Sequence, residues 1–378
     1  MIYLDHAATT PCRPEAVEAM RPYFGDIFGN ASSVHGFGQA ARKALDAARD
    51  RMAALLGVRA EEIVFTSGGT EADNLVLLGV FFRQKGRKQH LIVAATEHHA
   101  VLHTAQWLQG HGAAVTVLPV DGEGRVDPDD LRRAIRAETF LVSLMAANNE
   151  IGTLAPIGEF GAICREAGVP FHTDAVQWAG ALPLHLAELP VDFLVLTAHK
   201  FFGPKGVGML VARRGRRFQS LLHGGGQERG HRPGTENVAG IVGLVRAFDL
   251  AVAEMPETRP RVERLRDRLI DTVLERVPNS FLNGPRRERL PNNAHFSFPG
   301  VESDMLVLNM DLEGIACSSG SACMAGAIEP SHVVQALGVP AERAASAVRI
   351  SLGHRTTEAE VDAAAAALER VVRRLRGG

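Results

Sequence analysis

The sequence lacks the features that mark secreted, fibrous and membrane proteins. It has four cysteines in 378 residues, too few for a disulfide scaffold. The stretch nearest to a membrane span, 238–253, is interrupted by Arg246 and Asp249, so no segment is predicted to cross a bilayer. The first residues, MIYLD, contain neither the basic nor the apolar region of a secretion signal. We therefore predict a cytoplasmic globular protein with no membrane partner.

The chain also lacks a charge excess and is poor in lysine. Lys and Arg number 41 against 43 Asp and Glu, so we expect no direct nucleic-acid binding through a basic face. Apolar residues make up 46% and charged residues 22% of the chain, which excludes intrinsic disorder. Only five of the 41 basic residues are lysines. A lysine among apolar residues therefore suggests a need for an amine that can lose its proton.

Short apolar runs alternate with amphipathic stretches over the first two thirds of the chain. The runs predict seven strands, at 62–66, 90–95, 114–119, 140–145, 170–174, 192–197 and 207–213. Helical patterns lie between most of them, at 39–56, 71–84, 101–110, 128–136 and 157–167. This alternation predicts an α/β fold with a seven-stranded, mostly parallel sheet covered on both faces. The last two strands are too close for a helical crossover, which predicts an antiparallel pair.

The pattern changes after about residue 255. The segment PETRP at 256–260 is rich in helix breakers and predicts a joint, followed by an Arg- and Glu-rich helix through Val277. Two strands and three helices are then predicted, at 294–298, 348–352, 303–313, 331–337 and from Glu358 onward. We predict a large domain of residues 15–255 and a smaller α+β domain of residues 1–14 and 256–378.

Three motifs follow strand ends, where ligands bind in open α/β sheets. In TSGGTE at 66–71, Gly69 allows close approach of a ligand and Thr70 can cap the following helix and hold a phosphate; a plain capped turn is the alternative. His98 in TEHH can stack on a flat ring, bind a metal or cap a helix. Asp174 in FHTDAVQ can hold a pyridinium nitrogen, bind a metal or cap a helix, and Gln177 can donate to a ring oxygen.

The strongest single motif surrounds Lys200, in TAHKFFGPKG at 197–206. Lys200 follows an apolar strand and has His199 and two phenylalanines beside it, and desolvation favours the neutral amine that forms an imine. A phosphate cup, an acid for a ring nitrogen and a Schiff-base lysine together indicate a pyridoxal 5'-phosphate (PLP) site. A Walker A loop is excluded because Gly-x4-Gly-Lys-[Ser/Thr] does not occur.

Cys323 lies in a run of small residues, CSSGSACMAGA at 317–327. Such a run predicts a mobile loop in which the Cys323 thiol is exposed and nucleophilic. Cys317 and Cys323 could instead form half of a zinc site or a redox pair. No second cysteine pair completes a zinc site, so we predict no metal.

Three further positions suggest contacts with a ligand. Arg349 lies inside an apolar strand and needs a partner, which is either a substrate carboxylate or a structural salt bridge. Asn149 follows the strand at 140–145, so its amide can face the ring. The Gly- and Arg-rich loop at 224–237, which contains Thr235, can reach the phosphate of a partner subunit.

With these motifs the sequence resembles the cysteine desulfurases, which are PLP enzymes of fold type I in the class V aminotransferase-like group. The resemblance runs nearly from end to end and includes YLDHAATTP at 3–11 and FGNASS at 28–33. The motif SSGSAC at 318–323 resembles that of the cysteine desulfurases with the longer active-site loop. Thr197 stands where many relatives have serine, which keeps the hydroxyl.

The resemblance implies a role for each candidate. Lys200 would bind the cofactor covalently, and His98 would stack on its ring and serve as acid and base. Asp174 would bind the ring nitrogen and Gln177 the phenolic oxygen. The remaining implied cofactor contacts are Gly69, Thr70, Thr197, His199, Asn149 and, from the other subunit of a homodimer, Thr235. Asn149 and Arg349 would hold the substrate carboxylate, and Cys323 would attack the sulfur.

The implied reaction converts L-cysteine to L-alanine and leaves the sulfur on Cys323 as a persulfide. The sulfur would then pass to an iron–sulfur scaffold protein or to a tRNA-thiolation carrier. An aminotransferase or a selenocysteine lyase on the same fold is the alternative; it would share the ring-binding residues but would not need Cys323. An inactive sulfur-assembly scaffold would require a damaged site, whereas Lys200, Asp174, His98 and Cys323 are all present.

Overall fold

The computed structural model describes residues 1–84, 86–319 and 330–377. In chain order its strands and helices are β1 (Ile2–Tyr3), α1 (Pro14–Met20), α2 (Gly36–Leu56), β2 (Ile63–Thr66), α3 (Gly69–Gln84), β3 (His90–Ala94), α4 (His99–Gln109), β4 (Ala114–Leu118), α5 (Pro128–Ala134), β5 (Thr139–Ser143), α6 (Ile157–Glu166), β6 (Phe171–Asp174), β7 (Phe193–Thr197), β8 (Gly208–Ala212), α7 (Val238–Arg276), β9 (Phe281–Leu282), β10 (Asn293–Ser297), α8 (Ser303–Leu312), β11 (Ile315–Ala316), α9 (His332–Ala336), α10 (Ala341–Ala345), β12 (Ala347–Ser351) and α11 (Glu358–Leu375). Among the described residues, no helix is both long and apolar enough to cross a membrane.

One seven-stranded sheet forms the centre of the molecule, with the strand order β2-β8-β7-β6-β5-β3-β4. Neighbouring strands from β7 to β4 are parallel, and β8 is antiparallel to both β7 and β2. The predicted α/β fold and the antiparallel final pair are thus confirmed. Every residue of β2, β3, β5, β6 and β7 is buried, as expected for parallel strands with helices on both faces.

A second, smaller hydrophobic core is formed mainly by residues of the C-terminal third of the chain. It contains a three-stranded sheet, β12-β10-β9, and the parallel pair β1-β11. The predicted strands and helices of this region are present as β10, α8, α9, β12 and α11. The strands β1, β9 and β11 have two residues each, too few for a periodic pattern to reveal. Through β1, the N-terminus joins this second core.

The joint predicted at 256–260 is wrong, because α7 continues through it as one helix that contains Pro256 and Pro260. An internal proline removes a main-chain hydrogen bond and bends a helix. The first core is the one that contains residues of the seven-stranded sheet, and the buried apolar residues of α7 from Ile241 to Ala251 pack in it. Those from Val262 onward pack in the second core. Packing at both ends therefore supports the helix across its prolines, and α7 links the two cores.

The carboxyl ends of β2, β3, β5, β6 and β7 meet along one edge of the sheet, because these strands are mutually parallel. The predicted motifs follow these ends and are therefore brought together there. The glycine turn after β2 packs closely on β8: a Cβ atom on Gly208 would lie 2.6 Å from the carbonyl carbon of Gly68. Such a distance is too short for any side chain, so this turn requires glycine at 208.

Candidate active site

A cavity of about 340 Å³ opens at this edge of the sheet. It is lined by ten of the twelve predicted site residues, namely Gly69, Thr70, His98, Asn149, Asp174, Gln177, Thr197, His199, Lys200 and Arg349. Thr235 is exposed and lies outside the cavity lining. Cys323 lies outside the described residues. The structure thus brings together residues that are up to 280 positions apart, from Gly69 to Arg349.

One end of the cavity is formed by the start of α3. Because the helix begins at Gly69, its first main-chain N–H groups and the Thr70 hydroxyl are available to an anion. The prediction that Thr70 caps the helix is wrong, since Thr70 lies within the first turn. Thr197 Oγ1 donates to Val207 O over 3.1 Å, and His199 Nδ1 lies 3.2 Å from Thr9 Oγ1. These groups together form a cup of N–H, hydroxyl and imidazole groups.

A loop closes over the outer side of this cup. Arg232, within the loop 224–237, donates to Glu71 Oε1 over 2.8 Å. Glu71 Oε2 also accepts from the Ser67 main-chain N–H over 2.8 Å. The loop that contains Thr235 is therefore fixed to the first turn of α3, and its Thr235 side chain faces outward.

Asp174 and His98 both line the cavity, and their pKa values are shifted in opposite directions. Burial, with a smaller contribution from the neighbouring Asp73 side chain, raises the pKa of Asp174 to about 7, although its Oδ1 accepts from Val176 N over 2.8 Å. Burial and the Lys200 ammonium lower the pKa of His98 to about 4, so His98 is neutral at neutral pH. His98 Nδ1 also accepts from Ala100 N over 3.1 Å. His98 therefore caps α4, one of its predicted roles, and lines the cavity as well.

Lys200 lies at the end of a short 3-10 turn, Ala198–Lys200, directly after β7. Its Nζ donates to Ala7 O over 2.5 Å and to Ala8 O over 2.8 Å, and Gln177 Nε2 donates to Ala7 O over 2.9 Å. The N-terminal segment therefore forms one wall of the site. Phe202 follows with a φ of 66°, a strained conformation for a bulky residue that often marks functional sites.

Arg349 forms the other end of the cavity and is buried. Its Nη2 pairs with Asp5 Oδ1 over 2.9 Å, and its Nη1 donates to Asn149 O over 3.0 Å. The alternative prediction of a structural salt bridge is confirmed by the Asp5 contact. Arg349 also lines the cavity, so its contact with a substrate carboxylate stays a prediction.

Several residues of the site were not predicted. The cavity is also lined by Asp73, Glu150, His99 and His332. His99 lies with its ring centre 4.6 Å from that of His332, and Ser331 donates to the Glu150 carboxylate. Asp73 stands between Ala72 and Asn74, close to Glu71, so no pattern in the sequence distinguishes it from an exposed helical residue. The described residues contain no cluster of three or more His, Cys, Asp or Glu side chains that could hold a metal ion.

The donor set of this cavity fits PLP. The helix start with Thr70, Thr197 and His199 suits a phosphate dianion. The buried Asp174 carboxyl, whose pKa is raised to about 7 by burial, would be stabilised in its ionised form by a pyridinium cation. Lys200 supplies the amine that an aldehyde needs.

The three described cysteines are unreactive in character. Cys12, Cys164 and Cys317 are free thiols. Burial raises the pKa of Cys164 and of Cys317 to about 12, and it also raises the pKa of Cys12. Since the thiolate is the nucleophile, none of the three is suited to attack at neutral pH.

Comparison with known proteins gives matches along the whole chain. A family model described as aminotransferase class-V matches residues 2–364. A protein of Dictyoglomus turgidum named cysteine desulfurase IscS is 48% identical over 375 residues, which cover 99% of this chain and 95% of that protein. A Methanosarcina thermophila protein of the same name is 48% identical over 375 residues, covering 99% and 93%.

Solved structures agree with these matches. A structure described as a NifS-like protein has a TM-score of 0.93 at 38% identity and covers 98% of this chain and 99% of its own. The apo structure of a cysteine desulfurase from Thermococcus onnurineus NA1 has a TM-score of 0.88 at 27% identity and covers 98% and 94%. Both matches therefore extend over the two cores and over the segments whose residues line the cavity.

Proposed function

This chain belongs to the class-V aminotransferase family and, within it, to the PLP-dependent cysteine desulfurases, and from this we propose that it converts L-cysteine to L-alanine and places the released sulfur on Cys323 as a persulfide. Its fold is that of the fold type I PLP enzymes. The observation that carries the proposal is that Lys200, the buried Asp174 and the buried Arg349 line one cavity.

The cofactor is held, in this proposal, by residues at both ends of that cavity. Gly69, Thr70, Thr197 and His199 bind its phosphate, and Asp174, Gln177, His98 and Asn149 bind its ring. Lys200 binds its aldehyde. Bound PLP supplies an electron sink that stabilises negative charge at the substrate Cα and weakens the bond from Cβ to sulfur.

The chain's own groups move the protons. The Lys200 amine would take the proton from the substrate Cα. Arg349 and Asn149 hold the substrate carboxylate, which fixes Cα beside Lys200. His98 is neutral because burial lowers its pKa to about 4, so it can accept the proton of the substrate thiol. The Cys323 thiolate then attacks the substrate sulfur.

The transfer of the substrate sulfur to Cys323 exchanges one bond for another. The bond from Cys323 Sγ to the substrate sulfur forms, and the bond from that sulfur to Cβ breaks. The electron pair of the broken bond stays on Cβ, which takes the proton that His98 accepted from the substrate thiol and becomes the alanine methyl group. The carbon is thereby reduced and the sulfur oxidised, so that no external oxidant or reductant is required.

We infer further that the protein works as a homodimer in the cytoplasm. Thr235 is exposed, and Arg232 in the same loop donates to Glu71 in the first turn of α3. In this proposal the Thr235 hydroxyl binds the phosphate in a partner subunit. The persulfide sulfur would pass to an iron–sulfur scaffold protein or to a tRNA-thiolation carrier. We also propose the division into domains at 15–255 and at 1–14 with 256–378, which the two separate cores support.

The proposed function is tested by incubating the PLP-loaded chain with L-cysteine and a thiol reductant. We expect alanine and sulfide in equal amounts. An aminotransferase would instead release the keto acid of cysteine and would stop after one turnover unless a second keto acid is added. That product would overturn the proposal.

Arg349→Lys is expected to raise KM for L-cysteine about thirtyfold, because lysine keeps the charge but cannot bind a carboxylate with two parallel N–H donors. We expect kcat to change less than threefold. Steady-state kinetics of alanine release measures both constants. Arg343→Lys, in the same C-terminal region but bonded to Asn283 and outside the cavity lining, is the matched control. An unchanged KM in Arg349→Lys would contradict the proposed contact.

A further inference from the structure

Asp73 is a buried acid that the proposed reaction does not use. It lies in α3 one turn beyond Thr70, has 1% of its surface exposed and lines the same cavity as Asp174. Two other acids share this interior: Asp174, at the end of β6, and Glu97, which follows β3 and accepts from Met145 N over 2.9 Å. Three carboxyl groups are thus buried close enough to interact with one another.

The immediate neighbour of Asp73 is His172 in β6. His172 Nε2 lies 3.4 Å from Asp73 Oδ1, and neither atom has an ordinary hydrogen bond within the described ranges. The other ring nitrogen, His172 Nδ1, lies 2.8 Å from Ser143 Oγ in β5. Both His172 and Ser143 are fully buried. The row Asp73, His172, Ser143 therefore has no access to solvent except at the cavity.

Burial determines the protonation state of these groups. Burial lowers the pKa of His172 to about 4, so the imidazole is neutral. Burial raises the pKa of Asp73 to about 8 and raises that of Glu97 well above its usual value, and Asp73 and Asp174 add to the effect on Glu97. Of the three acids, Asp174 is the one whose ionised form Lys200 favours. Acids buried this closely do not all ionise together.

We propose that Asp73 is a positioning residue of the cofactor site, which keeps its proton, directs it at His172 and so leaves Asp174 as the ionised carboxylate for the ring nitrogen. A neutral imidazole with its N–H toward Ser143 presents Nε2 as an acceptor, which matches a protonated Asp73 as donor. The inference rests on the proposed function only through the role of Asp174.

The protonated Asp73 side chain makes the free energy of unfolding depend on pH, whether or not the protein turns over substrate. The pKa of Asp73 is about 8 in the folded chain against 3.8 for the free side chain, so between these values the folded state holds a proton that the unfolded state has lost. Its contribution to stability is therefore present below pH 4 and declines as pH rises toward 8. Asparagine, which has no charge to bury, removes this decline.

The test is Asp73→Asn in the full-length, PLP-loaded protein. Asparagine keeps the shape and an N–H donor for His172. We expect a PLP dissociation constant within twofold of the wild type and an unchanged pH midpoint of the bound cofactor's absorbance. The melting temperature of the variant relative to wild type should rise by about 2 °C per pH unit between pH 6 and 8. Asp50→Asn, on the exposed face of α2, should show a difference independent of pH.

Opposite results would overturn the inference. A tenfold weaker PLP affinity or a shifted absorbance midpoint in Asp73→Asn would show that Asp73 carries a negative charge. A melting-temperature difference that does not vary with pH would show the same. Asp73→Leu, which lacks the donor, should weaken PLP binding about tenfold; unchanged binding would refute the positioning role. Because none of these readouts uses turnover, they can fail while alanine and sulfide are still produced.

Discussion

Lys200→Ala is expected to reduce alanine formation from L-cysteine by at least about a thousandfold, the largest effect of any single change in the cavity. Lys200 is proposed to perform two tasks, binding the cofactor aldehyde and moving the proton of the substrate Cα. Its ammonium is held by the carbonyls of Ala7 and Ala8, so the amine is fixed before any ligand arrives. The measurement is the rate of alanine release, together with the absorbance of PLP bound to the purified variant.

Lys205→Ala is the matched control for this change. Lys205 lies five residues further along, carries the same charge and is exposed outside the cavity lining. We expect it to keep wild-type activity and wild-type absorbance. Activity in Lys200→Ala within tenfold of the wild type would show that another group moves the Cα proton, and would contradict the proposed role.

Cys323→Ala is expected to abolish both alanine and sulfide release while leaving the absorbance of bound PLP unchanged. The thiolate is proposed to be the acceptor of the substrate sulfur, and alanine has no nucleophile to replace it, so a loss of at least about a thousandfold follows. Alanine and sulfide are measured in the same reaction, with PLP content checked on the same sample.

Cys317→Ala provides the control, because Cys317 lies six residues before Cys323 and burial raises the pKa of its thiol to about 12. It should retain activity. Undiminished alanine release in Cys323→Ala would favour a lyase of the same fold, in which the thiol reductant accepts the substrate sulfur in place of a cysteine side chain.

Local patterns were enough to predict the large sheet. The strands from β2 to β8 coincide with short, mostly apolar runs, and the short connection between β7 and β8 predicts their antiparallel pairing, whereas the order of the strands in the sheet was not predicted. The motifs at the strand ends could be placed for the same reason, since parallel strands present their carboxyl ends at one edge. The position of Asp174 and Lys200 at this edge could therefore be predicted before their contacts were known.

Contacts between distant segments could not be predicted in this way. Arg349 was recognised as needing a partner, but that partner is Asp5, 344 residues away, because β1 joins the second core. The break expected at Pro256 does not occur, since packing on two cores outweighs the local preference. Asp73 looked like an ordinary helical residue until the fold placed it beside His172. In each of these three cases the observed contact depends on tertiary packing, which a local sequence pattern does not predict.

The central claim is that sulfur from L-cysteine becomes bonded to Cys323. It is tested most directly by mixing the PLP-loaded chain with one equivalent of L-cysteine without reductant, blocking thiols, and locating added sulfur by peptide mass spectrometry. The account predicts one extra sulfur atom on the peptide that contains Cys323 and none on peptides with Cys12, Cys164 or Cys317. Alanine formed without any sulfur on Cys323, or with the sulfur on another cysteine, would contradict it.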